Sequence, residues 1–317
     1  MTLRRRTALL GGLGGLAAVL TGCTATRYGG PARPLTIAAG ESGGFYLAFA
    51  EVLAKQVNEA EPRLRCTAVP TEASVANVTR VLEGAADLGM ALGDIGQAAV
   101  LGEPPYPAPA PLRALGRVYE NYLQLVVRAD DGLTTLADLA GRRVSLGAAG
   151  AGAAVAGQRL LTAAGVTVAI ERLLFAEATA ALREHRIDAL LWSGGVPTPA
   201  LAELAKAVPL ALIPLDSALP ALRARYGPVY EPVRVPAGAY TGVRELTTIG
   251  VANLIVSAPG LPDDIAAAVA EVLVNRAADL VPAQAVGTQF LDVRTLIGTG
   301  AVPLHPGAAR AYRELHG

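Results

Sequence analysis

A glycine-rich turn near the start of the chain holds the residues best suited to chemistry. Residues 40–46 read GESGGFY, after an apolar run over residues 35–39 and before an amphipathic pattern over residues 45–58. A strand that enters such a turn and then a helix leaves free backbone N–H groups at the helix N-terminus, where anions bind. The aromatic rings beside the turn indicate an organic anion. The predicted contacts are Ser42, Gly43, Gly44 and Tyr46.

The same turn contains the G-x-S-x-G pattern of a hydrolase nucleophile elbow, with Ser42 in the nucleophile position. A catalytic serine needs a histidine and an acid later in the chain, and only His305, with Asp292 as its acid, is placed to serve. A nucleophile elbow usually follows several strands, whereas this turn follows the first predicted strand. The pattern therefore favours ligand binding, and a secreted serine esterase using Ser42 and His305 is the alternative.

The composition is that of a folded protein without a nucleic-acid surface. The chain has 317 residues, 52% of them hydrophobic and 17% charged, which is enough for two domains. When Arg4, Arg5 and Arg6 of the N-terminal segment are set aside, 24 basic residues remain against 27 acidic ones. No basic run interleaved with aromatics occurs. No Cys/His cluster or acidic spacing indicates a metal or cofactor, and Cys66 is interpreted as a core residue.

The first 23 residues have the pattern of an export signal. Three arginines precede the uncharged apolar residues 8–20, and residues 20–23 read LTGC, which resembles a bacterial lipobox. We expect residues 1–22 to be a signal peptide, Cys23 to carry a lipid anchor, and residues 24–34 to form a tether. The protein would then be extracytoplasmic, anchored to the outer face of the cell membrane or periplasmic. An ordinary signal peptide with an incidental cysteine is the alternative.

Strands and helices alternate after the tether, which predicts a parallel α/β sheet. Strands are predicted at residues 35–39, 64–69 and 87–92, and helices at 45–58 and 74–82. Ligands of such sheets lie beyond the carboxyl ends of the strands. Two further candidates at those ends are Ser74 and Asn77, which alternatively are an N-cap and a solvated amide. Asp94 is predicted either to cap the next helix or to receive an ammonium group.

A second glycine-rich turn, residues 147–152, follows a predicted strand at 143–146 and precedes a helix at 153–164. It lacks a dinucleotide fingerprint and a Gly-Lys-Ser/Thr sequence, so it predicts an anion site formed by Gly150, Ala151 and Gly152 rather than a nucleotide site. A strand at 173–175, a helix at 177–185 and a strand at 188–192 are predicted next. Backbone contacts are then expected from Gly195, Val196 and Pro197. Tyr240 is predicted to act as a lid or to pack against a hinge.

The two halves of the chain resemble each other and predict two lobes that face a cleft. Strand-like runs at 112–119 and 122–127, and at 229–235 and 248–256, are interpreted as the crossings between them. The predicted fold is α/β, a two-lobed type II periplasmic-binding-protein-like fold with two crossings that form a hinge. Residues 35–124 with 245–317 are predicted to form lobe 1, and residues 125–244 lobe 2.

Seven short motifs occur in order through the chain. They lie at residues 43–46 (GGFY), 74–77 (SVAN), 83–89 (EGAADLG), 138–144 (DLAGRRV), 195–199 (GVPTP), 236–240 (PAGAY) and 303–307 (PLHPG). In this order they resemble the TAXI-type extracytoplasmic solute-binding proteins of tripartite ATP-independent periplasmic (TRAP) transporters. The resemblance runs from about residue 35 to the C-terminus.

The resemblance implies a non-enzymatic, monomeric binding protein that captures a small carboxylate solute and delivers it to a TRAP-type membrane permease. Glutamate, glutamine or dicarboxylates are the implied solutes. The chain departs from the family at residues 72–73, where Glu-Ala replaces Gly-Gly, and at residues 148–153, which lack hydroxyl side chains. Backbone N–H groups are then the donors in that turn, and helix N-termini at Gly44 and Gly152 are predicted to hold carboxylates from opposite lobes. A solute-sensing lipoprotein with the same fold is a further alternative.

Overall fold

A computed structural model describes residues 27–282, 291 and 293–316. The predicted signal peptide, Cys23 and Asp292 lie outside the described residues. Within those ranges, every helix falls short of the length and apolar character that crossing a membrane requires.

The first third of the chain forms the alternating strands and helices that the sequence predicts. Its elements are β1 (Arg33–Ala38), α1 (Phe45–Ala60), β2 (Leu64–Val69), α2 (Ser74–Leu82), β3 (Leu88–Leu92) and α3 (Gly93–Leu101). All five residues of β3 are buried, which fits a central strand. Helix α1 buries Phe45, Phe49, Leu53 and Val57 at a spacing of four, which fixes its apolar face on the sheet.

The remaining elements complete a mixed α/β protein. They are β4 (Arg113–Arg128), β5 (Arg143–Ser145), α4 (Gly152–Ala164), β6 (Ala169–Glu171), α5 (Phe175–Arg183), β7 (Ala189–Gly194), α6 (Pro199–Ala207), β8 (Leu210–Ile213), α7 (Leu219–Tyr226), β9 (Tyr230–Val235), β10 (Leu246–Ser257), α8 (Asp263–Asn275), α9 (Val293–Leu296) and α10 (Pro306–His316). Short 3₁₀ turns connect several of them.

The described strands form one ten-stranded sheet in the order β2-β1-β3-β10-β4-β7-β5-β6, with β8 paired to β4 and β9 paired to β10. Pairing is parallel between β1 and its neighbours β2 and β3, and between β5 and its neighbours β6 and β7. The pairs that involve β4 or β10 are antiparallel. Each parallel group places its carboxyl-end turns at one edge, as expected for a ligand site.

The long strands β4 and β10 join the two parallel groups. The C-terminal part of β10 pairs with β3, and its N-terminal part pairs with β9. Strand β4 pairs with β10 along most of its length, and its C-terminal part pairs with β7 and β8. The predicted runs at residues 112–119 and 122–127 are therefore one unbroken strand. The two crossings between lobes are confirmed as these two strands.

We call β1–β3 with α1–α3 and α8–α10 lobe 1, and β5–β8 with α4–α7 lobe 2. The C-terminal helices pack on lobe 1, since Phe49 of α1, Ile265 of α8 and Tyr312 of α10 belong to one buried cluster. A separate buried cluster in lobe 2 includes Phe175 and Leu190. The two-lobed α/β fold is thus as predicted, and the residue numbers of the lobe boundaries stay a prediction.

The local prediction at residues 173–175 was wrong. The strand expected at residues 173–175 lies at Ala169–Glu171, and Phe175 instead begins helix α5. All three residues of β6 are exposed, so this strand lacks the apolar signal that a buried strand gives. Phe175 is buried by stacking on the ring of Trp192, with ring centres 3.7 Å apart, and that tertiary contact explains its apolar character.

Candidate functional site

A cavity lies between the lobes, where the turns after β1 and β2 and the end of β3 face the turn after β5 and the end of β7. We call it the cleft cavity. Its walls are formed by Gly40, Glu41, Gly44, Phe45, Tyr46, Ala73, Ser74, Leu92, Asn121, Ala151, Gly152, Ala153, Trp192, Ser193 and Gly194. About 40 Å³ is open to the centre of a water molecule, within about 430 Å³ of space between the walls. The lobes therefore lie close together in this structure.

Three helices begin at the cleft cavity. Their N-cap residues are Gly44 for α1, Ala73 for α2 and Ala151 for α4, and each of the three lines the cavity. Within the described chain, none of these N-caps makes a side-chain capping bond, and none of the helices has an acidic residue in its first turn. Three positive helix ends therefore converge, and none of them has a negative side chain in its own first turn, which favours an anion.

Backbone atoms of lobe 2 already contact one of these helix ends. The N–H groups of Val75 and Ala76, at the start of α2, donate to the carbonyl oxygen of Gly150 at 3.1 Å and 3.2 Å. Helical geometry leaves the first-turn N–H groups of α1 and α4 without an intrahelical acceptor. The donors remaining for a bound anion are thus at Phe45 and Tyr46 in lobe 1 and at Gly152 and Ala153 in lobe 2.

Close approach of the lobes depends on glycines in the second glycine-rich turn. A Cβ atom on Gly152 would lie 2.7 Å from both Ser74 Oγ and Leu92 Cδ1. A Cβ on Gly150 would lie 3.1 Å from the Cβ of Glu72. Since ordinary carbon contacts are longer, a side chain at residue 152 would press on Ser74 and Leu92 where the two lobes meet.

Tyr46 lines the cleft cavity with its ring while its hydroxyl is bonded inside the protein. The hydroxyl donates to Asn253 Oδ1 at 2.5 Å and lies 3.2 Å from Ser74 Oγ. Ser74 Oγ in turn accepts from the N–H of Leu92 at 3.1 Å. Burial raises the pKa of Tyr46 far above its usual value, so the hydroxyl stays neutral. The ring forms a wall, and Ser74 connects that wall to the end of β3.

Glu41 is the only charged side chain among the lining residues, all of which are described, and it is not among the contacts predicted from the sequence. Its Oε2 accepts a hydrogen bond of 2.7 Å from the N–H of Phe175, the first residue of α5 in the opposite lobe. Burial is the main cause that raises the pKa of its carboxyl group. A carboxylate at a helix N-terminus is stabilised by the helix dipole. The sequence signal for Glu41 is its place between Gly40 and Gly43 in the first glycine-rich turn.

Lobe 2 and strand β4 supply further walls that are not among the contacts predicted from the sequence. Trp192, at the end of β7, stacks on Phe175 and donates from Nε1 to Thr198 Oγ1 at 3.0 Å. Asn121 of β4 is buried and donates from Nδ2 to the backbone oxygen of Ser193 at 3.2 Å. Its Oδ1 has no hydrogen-bond partner in the described part of the chain. Asn121 therefore offers an acceptor at the cavity wall.

Two predicted contacts lie behind the cavity and bond to protein groups. Asn77 is fully buried, donates from Nδ2 to the carbonyl oxygens of Ala39 and Met90, and accepts from Thr71 Oγ1. It thereby fastens the carboxyl ends of β1 and β3 to α2. Asp94 lies in the first turn of α3, whose N-cap residue is Leu92, so the predicted capping position was wrong by two residues.

The carboxylate of Asp94 is fully buried and bonded across the lobes. It accepts from the Tyr230 hydroxyl at 2.7 Å and from Arg159 Nη1 at 3.3 Å. Burial raises the pKa of Asp94, and the charge of Arg159 opposes that rise. The structure therefore does not bring Asp94 to the cleft cavity.

The other predicted contacts lie around the rim or inside lobe 2. Ser42 and Gly43 are exposed, and Gly43 has φ near 80°, a conformation that suits glycine. The turn formed by Gly195, Val196 and Pro197 directly follows the lining residue Gly194, and Phe45 lies 3.3 Å from the Cβ position of Gly195. Tyr240 is buried in lobe 2, where its hydroxyl donates to Gln124 and accepts from the N–H of Thr198. Tyr240 is thus packed against Gln124 and is not a lid.

The residues of the esterase alternative are not assembled. His305 is buried, and its Nδ1 accepts from the N–H of Gly307 and lies 3.7 Å from Asp263 Oδ1. Burial lowers the pKa of His305. Among the described residues, no hydrogen bond connects Ser42 with His305, and the other member of the proposed set, Asp292, lies outside those residues. The same ranges contain no group of His, Cys, Asp and Glu side chains that could hold a metal ion.

Most of the chain matches the profile of one protein family. The profile of the NMT1-like family matches residues 37–315. This chain belongs to the NMT1-like family. The match includes both glycine-rich turns and every residue that lines the cleft cavity.

Several solved structures have the same fold as this chain. MatC from Rhodopseudomonas palustris, solved with bound malate, has a TM-score of 0.55 at 16% identity, covering 79% of this NMT1-like chain and 87% of MatC. A protein from Bordetella bronchiseptica RB50 has a TM-score of 0.55 at 15% identity, with 90% and 98% covered. A structure described as a periplasmic transporter has a TM-score of 0.54 at 12% identity, with 90% and 93% covered. These likenesses establish the two-lobed fold of periplasmic binding proteins for this NMT1-like chain.

Proposed function

We propose that this NMT1-like chain is an extracytoplasmic solute-binding protein that captures a small organic acid between its lobes. One observation carries the proposal: three uncapped helix N-termini, contributed by both lobes, converge on the cleft cavity. Backbone N–H groups at such ends bind carboxylates, and the two remaining donor sets belong to opposite lobes. A carboxylate held between Gly44–Tyr46 and Gly152–Ala153 would draw the lobes together. Binding and closure are then coupled.

The solute is, in this proposal, an amino acid of the glutamate or glutamine type rather than a dicarboxylate. Glu41 is the one charged group among the lining residues, and an ionised carboxylate attracts an ammonium group and repels a second carboxylate. The unpartnered Oδ1 of Asn121 is a further acceptor for an N–H donor. Phe45, Tyr46 and Trp192 supply aromatic surface against which the solute carbon chain and ammonium group pack.

We further propose that the protein is a TAXI-type receptor that serves a TRAP-type membrane permease and is anchored through a lipid on Cys23. The support is the order of the seven motifs and the lipobox-like sequence at residues 20–23. Mass spectrometry of the protein expressed with its full N-terminus in a bacterial host tests the anchor. A mature N-terminus at Cys23 carrying acyl chains supports it, and cleavage elsewhere contradicts it.

Thermal-shift screening of residues 24–317 tests the solute class. We expect L-glutamate or L-glutamine to raise the melting temperature, and we expect glutarate, which has two carboxylates and no ammonium group, to have a smaller effect. If no organic acid stabilises the protein, solute binding in this cleft is contradicted. A larger effect of glutarate would contradict the amino-acid preference and leave the binding role in place.

A further inference from the structure

A second cavity lies between the lobes on the other side of the second glycine-rich turn. Lobe 1 contributes the loop between α3 and β4, with Glu103, Pro104 and Pro105, and lobe 2 contributes α4, the segment before α5 and the end of α7. About 580 Å³ of this space is open to the centre of a water molecule, against about 40 Å³ for the cleft cavity. A volume of this size falls in the usual range of small-molecule sites. We call it the arginine cavity.

Three arginines line the arginine cavity: Arg159 of α4, Arg172 after β6, and Arg225 of α7. Arg159 is buried and engaged, since its Nη1 bonds to Asp94 and its Nη2 lies 3.9 Å from Glu103 Oε2. Arg172 and Arg225 are exposed, and neither has an ion pair or hydrogen bond to any residue in the described ranges. Glu103 is the only acidic residue of the described lining. The cavity therefore carries more positive than negative charge.

Two of these cations contact the ring of Tyr226. The guanidinium carbon of Arg159 lies 4.8 Å from the centre of the Tyr226 ring, and that of Arg225 lies 5.6 Å from the same centre. Cation–π contact with the ring holds each guanidinium in place. Like charges gathered around one ring repel each other in the absence of an anion, and planar guanidinium groups bind carboxylates through two parallel hydrogen bonds.

We propose that the arginine cavity is a second ligand site, separate from the cleft, for a small organic anion with at least two carboxylate groups. Arg172 and Arg225 bind its carboxylates, Tyr226 covers its carbon skeleton, and Gln158 adds a side-chain donor at the wall. The two free cations and the cavity volume suit a polycarboxylate, whereas a monocarboxylate leaves one arginine unpaired. Because both lobes form the walls, an occupied site also favours the closed arrangement of the lobes.

Isothermal titration with citrate tests this site, with acetate as the monovalent probe at matched ionic strength. We expect citrate to bind wild-type protein, to bind more tightly than acetate, and to weaken as salt is added. Arg172→Gln and Arg225→Gln should each weaken citrate binding at least about tenfold, which is the loss expected for a charge-assisted hydrogen bond. Arg142→Gln removes an exposed arginine that does not line the cavity, and should leave citrate affinity unchanged.

The outcomes separate this proposal from that for the cleft. Citrate that fails to bind, or that binds no more tightly than acetate, overturns the second site. Citrate affinity that is the same in Arg172→Gln, Arg225→Gln and Arg142→Gln places the anion elsewhere, including in the cleft cavity, and overturns it as well. Neither exposed arginine makes a hydrogen bond or ion pair within the described ranges, and unchanged melting temperatures verify that the variants are folded. Stabilisation by amino acids in these variants reports on the cleft alone.

Discussion

Glu41 combines two functions in one carboxylate at the cleft cavity. Its Oε2 accepts a hydrogen bond from the N–H of Phe175, which connects the lobes. Its Oε1 is available to accept a hydrogen bond from a solute. Burial raises the pKa of this carboxyl above its usual value of about 4.5. Its charge therefore develops at a higher pH than that of an exposed glutamate. In our proposal the charge is what selects an ammonium group.

Glu41→Gln should reduce the affinity for a stabilising amino acid by about tenfold at pH 7.5, since a neutral amide attracts an ammonium group less. In wild-type protein that affinity should rise with pH through the raised pKa of Glu41, because the carboxylate forms only above it. The variant should show a flat profile. Titration calorimetry between pH 4.5 and 7.5 measures the affinity of each protein for the amino acid. If the affinity of the two proteins changes with pH in the same way, Glu41 does not bind the ammonium group.

Gly152→Ala should weaken solute binding by at least about tenfold, because the added Cβ occupies the space of Ser74 Oγ and Leu92 Cδ1 at the cavity wall. Gly260→Ala is the matched control, since a Cβ there meets no atom within 4 Å of the described chain. Thermal shift with the best solute measures the difference. Equal shifts in both variants would show that the lobes need not meet at Gly152.

The sequence predicted the positions of the turns better than the partners of individual side chains. Gly44, Tyr46, Ser74, Ala151 and Gly152 were selected because strand–turn–helix patterns show where helix ends lie, and the structure places all of them at the cleft cavity. Such local patterns do not identify residues whose role depends on a partner far away in the sequence. Glu41 meets Phe175, 134 positions away, and Asp94 meets Tyr230, 136 positions away.

At the scale of elements, helices α3 and α4 are joined by a buried ion pair. Asp94 of α3 and Arg159 of α4 belong to opposite lobes, and Tyr230 at the start of β9 donates to the same carboxylate. Desolvation of a buried charge is unfavourable unless a partner offsets it. The boundaries of α4 were predictable from glycine and apolar spacing, whereas its pairing with α3 needed the folded sheet to bring the two helices together.

Arg159→Met should lower the free energy of unfolding by about 3 kcal/mol at pH 7, because it leaves the Asp94 carboxylate buried without a counter-charge. The loss should shrink as the pH falls, since a protonated Asp94 needs no cation, and Asp94→Asn in the same chain should recover part of it. Arg142→Met, at an exposed position, should change stability by less than about 0.5 kcal/mol. Urea unfolding measures all three. A loss that is independent of pH would show that packing, not charge, is responsible.

At the scale of the whole molecule, ligand capture requires the lobes to move relative to each other. The cleft cavity has about 40 Å³ open to water centres, which is less than an amino acid occupies, so the lobes must separate to admit a solute. The two-lobed arrangement was predictable from the repeated α/β pattern. The continuity of β4 was not, because residues 120–121 are polar and interrupt the apolar run although Asn121 is buried.

Small-angle scattering should show a smaller radius of gyration when the best solute is added at saturating concentration, as in hinge closure. Gly152→Ala should show a weaker decrease, because its added Cβ presses on Ser74 and Leu92 where the two lobes meet. The Gly260→Ala protein should respond as wild type does. An unchanged radius in wild-type protein with bound solute would mean that the cavity is filled without closure.

The two strands that join the lobes have a consequence for amide hydrogen exchange. Strands β4 and β10 pair with each other from Arg113 and Ser257 to Leu123 and Ile249, and each also pairs with strands of the lobes on its other side. Rotation of the lobes can twist the paired strands β4 and β10 without breaking the backbone hydrogen bonds between them. A hinge made of loops has no such hydrogen bonds to keep. The amides of β4 and β10 should therefore exchange slowly both with and without solute. The fast-exchanging amides that slow on binding should be those of the first turns of α1 and α4.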